Sequence, residues 1–188
     1  MKKIPSVFKR DYEGTRLVTN EIVLGCEWVL NGEGIATEKH DGTACMIRDN
    51  KLYKRYDAKK GKAHPVTWEP CEAEPDKETG HWPGWLPVGA GPEDKWHRQA
   101  FAKPTKWQNG TYELIGPKVQ SNPYGLTEHR LVPHGLVSLD DAPRTFDLIK
   151  DYLAEHSIEG IVWHHPDGRM AKIKRKDFGF EWPIKKES

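Results

Sequence analysis

Two turn signals, each flanked by strand-like runs, constrain this chain more than anything else in it. Thr43 to Arg48 and Lys51 to Tyr56 flank Asp49-Asn50, a dipeptide suited to a tight hairpin turn. Ile161-Val162-Trp163-His164 and Arg169 to Arg175 flank His165-Pro166-Asp167-Gly168, with Pro and Gly where a four-residue turn takes them. Gly34 to Glu38 is also strand-like, as is Thr111 to Ile115, which Gly116-Pro117 closes. Segment 21–31 is apolar enough for a strand, and Leu131 to Val137 adds a short apolar piece. One helix is clear: Phe146, Ile149 and Leu153 fall at i, i+3 and i+7 behind Pro143. A shorter one is expected near Glu93 to Ala102. The pattern predicts an α+β chain of antiparallel sheets built from hairpins, with peripheral helices.

At 188 residues the chain suits a single domain spanning 1–188. Residues 1–20 are charged and mixed and leave little to bury. From 64 to 110 seven prolines punctuate the chain, with Trp68, Trp82, Trp85, Trp96 and Trp107 interleaved. Long ordered loops packed by aromatics are expected there, since tryptophans argue against disorder. The net charge of +1 advertises no nucleic acid in bulk, so such a partner needs a local basic face. Cys26, Cys45 and Cys71 form no C-x-x-C pair, which predicts reduced thiols and a cytoplasmic setting. No signal peptide or membrane-spanning run is evident, so a soluble protein is expected.

The chemistry concentrates around Lys39. It ends a strand-like run two residues before the bend of Asp41-Gly42, where a lysine points into a site. An amine attacks only when unprotonated, and burial or neighbouring positive charge favours that form. Lys172 and Lys174 provide such company. On a strand they share one face, with Ile173 turned to the core. The spacing serves a phosphate clamp or a solvated edge strand equally. Alternation separates Leu52, Lys54 and Tyr56 from Tyr53 and Arg55, so Lys54 and Arg55 do not share a site. Glu113 and Glu159 each stand at a strand's end, a position that serves a hydrated metal or a ribose hydroxyl but, for either residue taken singly, is more often plain surface. His164-His165 reads as a strand end and turn rather than a zinc site.

Taken in order, Lys-x-Asp-Gly, a basic strand, Tyr-Glu-Leu-Ile-Gly-Pro, Glu-Gly-Ile-Val and Ala-Lys-Ile-Lys resemble the covalent nucleotidyltransferase superfamily of ATP-dependent ligases and capping enzymes. The resemblance covers roughly residues 20 to 180. Thr37-Glu38-Lys39 and Glu113 through Lys118 are similar to RNA-ligase motifs, and Ala44 stands where DNA ligases and capping enzymes carry an arginine. The resemblance implies sheets around an ATP cleft, the nucleotidyltransferase or ATP-grasp-like ligase fold, in a monomer. It implies that Lys39 attacks ATP to form lysyl-AMP, which passes to an RNA 5′-phosphate before a 3′-hydroxyl seals the strand, in a single strand or a nicked duplex. Thr37 and Glu38 would serve nucleotide binding, Glu38 at the adenine edge. Arg55 would meet ribose or phosphate, and Glu113 the ribose. Glu159 would hold Mg²⁺ (or Mn²⁺) through its waters, and Lys172 and Lys174 would clamp the α-phosphate. The adenine-stacking aromatic finds no Phe or Tyr near Leu131 to His134, where His134 is the substitute or an ordinary loop histidine. Only about a dozen residues follow Lys174, so a minimal catalytic core without a C-terminal accessory domain is expected. RNA would be gripped by Lys59, Lys60 and Lys62, by Lys103 and Lys106, or by Arg175, Lys176, Lys185 and Lys186. A nucleotidyltransferase that activates or caps an end without sealing, and a non-catalytic nucleic-acid binding module, are the competing readings.

Overall fold

The computed structural model describes residues 2–184 apart from Glu78. In chain order the strands are β1 (Phe8–Arg10), β2 (Val18–Ile22), β3 (Ile35–Lys39), β4 (Thr43–Arg48), β5 (Lys51–Lys59), β6 (Glu69–Pro70), β7 (His81–Pro87), β8 (Gly110–Ile115), β9 (Arg130–Pro133), β10 (Gly160–His164) and β11 (Met170–Lys174). The helices are α1 (Glu27–Leu30), α2 (Lys95–Phe101) and α3 (Phe146–Glu155). Every pairing between these strands is antiparallel, so the α+β expectation holds. The chain divides into two compact units. One is discontinuous, Ile4–His40 with Gly135–Ser188, and the other comprises Asp41–His134 with Met1–Lys3.

The discontinuous unit is built on a three-stranded sheet ordered β11-β10-β3. Neither edge of that sheet is bare. Lys172 N–H donates to Pro5 O and Val7 N–H to Lys172 O, both at 2.9 Å, beside β11. Glu38 N–H donates to Val137 O and Leu139 N–H to Ala36 O, also at 2.9 Å, beside β3. One face of the sheet carries Ala36, Ile161, Trp163, Ala171 and Ile173, all in the core with Ile149 and Leu153 of α3. Each large side chain buried there contributes about 1.5–3 kcal/mol. Arg175 finishes α3: its guanidinium donates to the carbonyl of Leu153, in the last turn that the helix leaves without intrahelical partners, and to that of His156 just beyond it.

The N-terminal segment departs from expectation. Val7 is 0% and Phe8 1% exposed, and β1–β2 form a ribbon over the core. Apolar residues there are few, but Val7, Phe8 and Val18 all turn inward, and the charges sit between them. Segment 21–31 is not a strand throughout either. The chain leaves β2 at Ile22, reverses at Gly25 (φ +88°) and winds into α1, which buries Trp28 and Val29. A short apolar run does not distinguish strand from helix by composition.

The second unit is a six-stranded sheet ordered β6-β7-β5-β4-β8-β9. Asp49 and Asn50 both adopt left-handed backbone (φ +50° and +57°), the turn whose twist matches a two-residue hairpin. Cys45, Ile47, Leu52, Tyr112, Leu114 and Leu131 cover one face and pack on Ala100 of α2 with Trp96, Phe101 and Trp107. Trp68 and Trp82 meet edge to face at 5.0 Å, and their indole N–H groups donate to Tyr56 O and Glu72 O. The tryptophans therefore pack as expected, but the region is not all loop: β7 runs straight through Pro83. The carbonyl of Pro83 accepts from Cys71 N–H, on the β6 side, so the missing proline N–H is subtracted from the sparsely paired edge and not from β5. The helix near Glu93 to Ala102 is a 3-10 turn at Pro92–Asp94 followed by α2. Among the described residues, no helix is long and apolar enough to cross a membrane.

Candidate active site

Strand register assembles the lysines. Lys39, Gly160 and Lys174 stand in one row across β3, β10 and β11, and Thr37, Val162 and Lys172 in the row two residues along. Paired residues project to the same side of a sheet, so Lys39, Lys172 and Lys174 share the face opposite the core. Ile173, between the last two, is 0% exposed, as the spacing predicted. Gly160 has a steric reason to be glycine, because a Cβ there would lie 2.1 Å from Ile173 O.

Glu159, just before β10, places its carboxylate 2.5 Å from Lys39 Nζ, with both side chains largely buried. Lys172 has its ammonium pushed down to about 8, first by burial, then by the charges of Lys39 and Lys174. Glu159 and Asp177 oppose the shift. Lys39, Lys172 and Lys174 face the Glu159 carboxylate here, so basic side chains outnumber acidic ones on this sheet face. Asp177 is itself tied down, since it accepts from Lys174 N–H at 2.9 Å and pairs with Arg10.

Other candidates are placed differently. Thr37 lies on the lysine face, but its hydroxyl is engaged at 3.2 Å with Val162 O and at 3.0 Å with His164 Nε2. Glu38 alternates to the other face of β3, in register with Ile161, and its carboxylate lies 3.8 Å from His40 Nε2. Arg55 and Glu113 belong to the second unit. Each occupies the sheet face away from the α2 core, Glu113 opposite Ala44 and Arg55 opposite Trp85. Arg55 Nε donates to Asp57 at 2.5 Å, while Lys54 turns to the core side and pairs with buried Asp94. The separation of Lys54 from Arg55 is thus as alternation required.

Glu113, 9% exposed, accepts from Gly42 N–H at 3.0 Å and meets His134 Nε2 at 2.8 Å. The Asp41-Gly42 step comes so close to β8 that a Cβ on Gly42 would lie 2.2 Å from Leu114 O. Tyr124 Oη accepts from Asp41 N–H at 2.6 Å, and Gln120 Nε2 donates to Gly42 O at 3.3 Å. Sequence reasoning missed these two residues. Gln120, Ser121 and Asn122 are three successive left-handed residues without a glycine, and only Asn122 carries any sequence preference for that conformation. A groove of about 620 Å³ lies beside β8, lined by residues 105–112 with Leu131, Pro133 and His134.

Among the described residues no three or more His, Cys, Asp or Glu side chains cluster as a metal site. A lone Glu159 carboxylate suits a Mg²⁺ that keeps its waters and takes its other ligands from phosphates, and does not suit a protein-caged ion. His164 ends β10, and His165 sits between Glu33 and Asp167 at 2.9 and 2.8 Å. Of the residues expected to grip RNA, Lys59, Lys60, Lys62, Lys106 and Lys176 are exposed, and Lys103 pairs with Glu128 at 2.7 Å. Arg175 is a correction: it is 7% exposed and committed to the end of α3, so it does not reach a ligand. Lys185 and Lys186 lie outside the described residues.

Lys39, Lys172 and Lys174, the lysines the RNA-ligase resemblance singles out, share one sheet face, and comparison with known proteins supports a likeness to RNA ligases. Residues 101–188 match the sequence profile of the RNA ligase 1 family. The chain is similar to RNA ligase 1 of Danio rerio (29% identical), Mus musculus (28%) and Rattus norvegicus (28%), with 97% of this chain and 82% of each relative covered. Those alignments run over 268 to 270 positions against 188 residues, so the relatives carry additional internal segments.

Proposed function

We propose that this protein is an ATP-dependent RNA ligase whose nucleophile is Lys39. One observation carries the reading: Lys39 Nζ is held 2.5 Å from Glu159 on a sheet face shared with Lys172 and Lys174. The names of the similar proteins point the same way.

In the first step the Lys39 amine, having lost its proton, attacks the α-phosphorus of ATP. A nitrogen–phosphorus bond forms, the bond to the bridging oxygen breaks, and pyrophosphate leaves. Glu159 fixes the direction of the amine. Lys172 and Lys174 neutralise the charge that accumulates on the non-bridging oxygens, and they act without reorganising because the sheet already holds them. Bound Mg²⁺ would add charge stabilisation on the same phosphate. The adenylyl group then passes from Lys39 to the 5′-phosphate of an RNA end. A 3′-hydroxyl attacks that phosphate, and AMP leaves. In this scheme Glu113 meets the ribose, Arg55 the ribose or the incoming phosphate, and Thr37 and Glu38 belong to the nucleotide site. RNA phosphates are gripped through exposed Lys59, Lys60, Lys62, Lys106 and Lys176, which makes binding salt-dependent and blind to sequence.

Incubation with α-labelled ATP and Mg²⁺, followed by a denaturing gel, tests the first step. A labelled protein band is expected that Lys39→Ala abolishes; a band that persists in Lys39→Ala refutes the assignment. A nicked duplex with an RNA 3′-hydroxyl strand tests sealing, and a longer product separates ligation from end activation alone.

A further inference from the structure

His134 at the end of β9 has a chemical peculiarity that packing does not explain. Its Nε2 meets the Glu113 carboxylate at 2.8 Å, while its Nδ1 is buried with no hydrogen-bond partner. Its backbone N–H is bonded to Thr111 O at 3.0 Å, so the main chain at this point is fixed without the imidazole. A buried ring nitrogen left unpaired is unfavourable, and an apolar side chain would fill the same volume without that penalty. What the imidazole contributes is its bond to Glu113. The second carboxylate oxygen of Glu113 accepts from Gly42 N–H at 3.0 Å, so the carboxylate is gripped from two sides and its plane is set.

We infer that His134 is a positioning residue that orients the Glu113 carboxylate toward the ribose hydroxyls of a bound nucleoside triphosphate. The inference rests on the ribose role proposed for Glu113 and goes beyond it. A carboxylate receiving a hydrogen on each oxygen has one free lone pair per oxygen left for a diol. Without His134 it turns about its χ3 torsion, and the 2′-hydroxyl loses its acceptor. The imidazole therefore sets discrimination between ribose and deoxyribose rather than affinity for triphosphate.

The test measures equilibrium binding of ATP and of 2′-deoxyATP to full-length protein carrying Lys39→Ala, where no covalent step intervenes. His134→Ala and His134→Gln are compared in that background, and thermal melting is followed in parallel. His134→Ala is expected to weaken ATP about tenfold and 2′-deoxyATP less than twofold, so that the preference for ATP collapses. His134→Gln, whose amide reaches Glu113 as Nε2 does, is expected to keep the preference. Equal weakening of both nucleotides, or a glutamine variant as impaired as alanine at an unchanged melting temperature, overturns the inference. If the Lys39→Ala protein binds ATP without preferring it to 2′-deoxyATP, the ribose role of Glu113 falls and the inference with it. A failure of the label-transfer assay with this binding pattern intact would strike the ligase reading alone.

Discussion

Replacing Lys172 with methionine is expected to make the protein more stable, and by an amount that fades with pH. The ammonium of Lys172 is held at about 8 against an ordinary 10.5, through burial and the neighbouring Lys39 and Lys174, with Glu159 and Asp177 opposing. That gap corresponds to about 3 kcal/mol. Below pH 8 both the folded and unfolded chains carry the proton, and the folded state bears the whole penalty of the buried charge. Between pH 8 and 10.5 the unfolded chain binds more protons than the folded one, so folding becomes more favourable as pH rises. Methionine keeps the volume and removes the charge. Urea denaturation of the two proteins should therefore show Lys172→Met more stable by about 2–3 kcal/mol at pH 7 and by less than about 1 kcal/mol at pH 10. Groups remote from Lys172 titrate alike in both proteins and cancel in the difference. A methionine variant less stable than the parent at pH 7, or a difference that does not change with pH, would refute the reasoning. The same variant should lose label transfer, because the charge that destabilises the empty sheet is the one assigned to the phosphate.

Gly160→Ala should lower stability by about 3 kcal/mol and suppress lysine labelling, since its Cβ meets Ile173 O at 2.1 Å in the row that holds Lys39 and Lys174. Gly168→Ala is the control: its φ of +90° carries strain, but nothing lies within 4 Å, so denaturation shifts by about 1 kcal/mol and labelling stays intact. Asp94→Asn strands the Lys54 ammonium beneath α2 without a counter-charge, and a loss of about 3 kcal/mol in the urea midpoint analysis is expected. An unchanged midpoint in Asp94→Asn would show that the pair contributes no more than a surface bridge.

Local signals were sufficient wherever the decisive interaction is local. The hairpins at Asp49-Asn50 and before Met170 form as the turn residues require, and α3 starts and ends within its apolar period. Lys172 and Lys174 are placed by period two alone. Long-range effects defeated the reading elsewhere. Val7 and Phe8 are buried by partners distant in the sequence: Lys172, more than 160 residues later, bonds the backbone of residues 5 and 7, and Phe8 packs edge to face on Phe146. β7 survives its prolines because of which neighbour lies on which side. The partners of Glu113 come from Gly42 and His134, 71 and 21 residues away, and no spacing announces them. Arg175 looked like part of a basic tail, and only the position of α3 shows that its charge is spent.

The discontinuity of the lysine-bearing unit bears on synthesis. β3 leaves the ribosome early, but β10, its neighbour in the sheet, and β11 beyond it begin some 120 residues later or more. The residues between include Asp41–His134, whose β4–β5 and β8–β9 pairings are of short sequence separation and close first. A nascent chain thus holds Lys39 for most of its translation without Glu159, Lys172 or Lys174 beside it. Under the proposed function, a fragment that stops short of β11 lacks Lys172 and Lys174 and is expected to transfer no label from ATP.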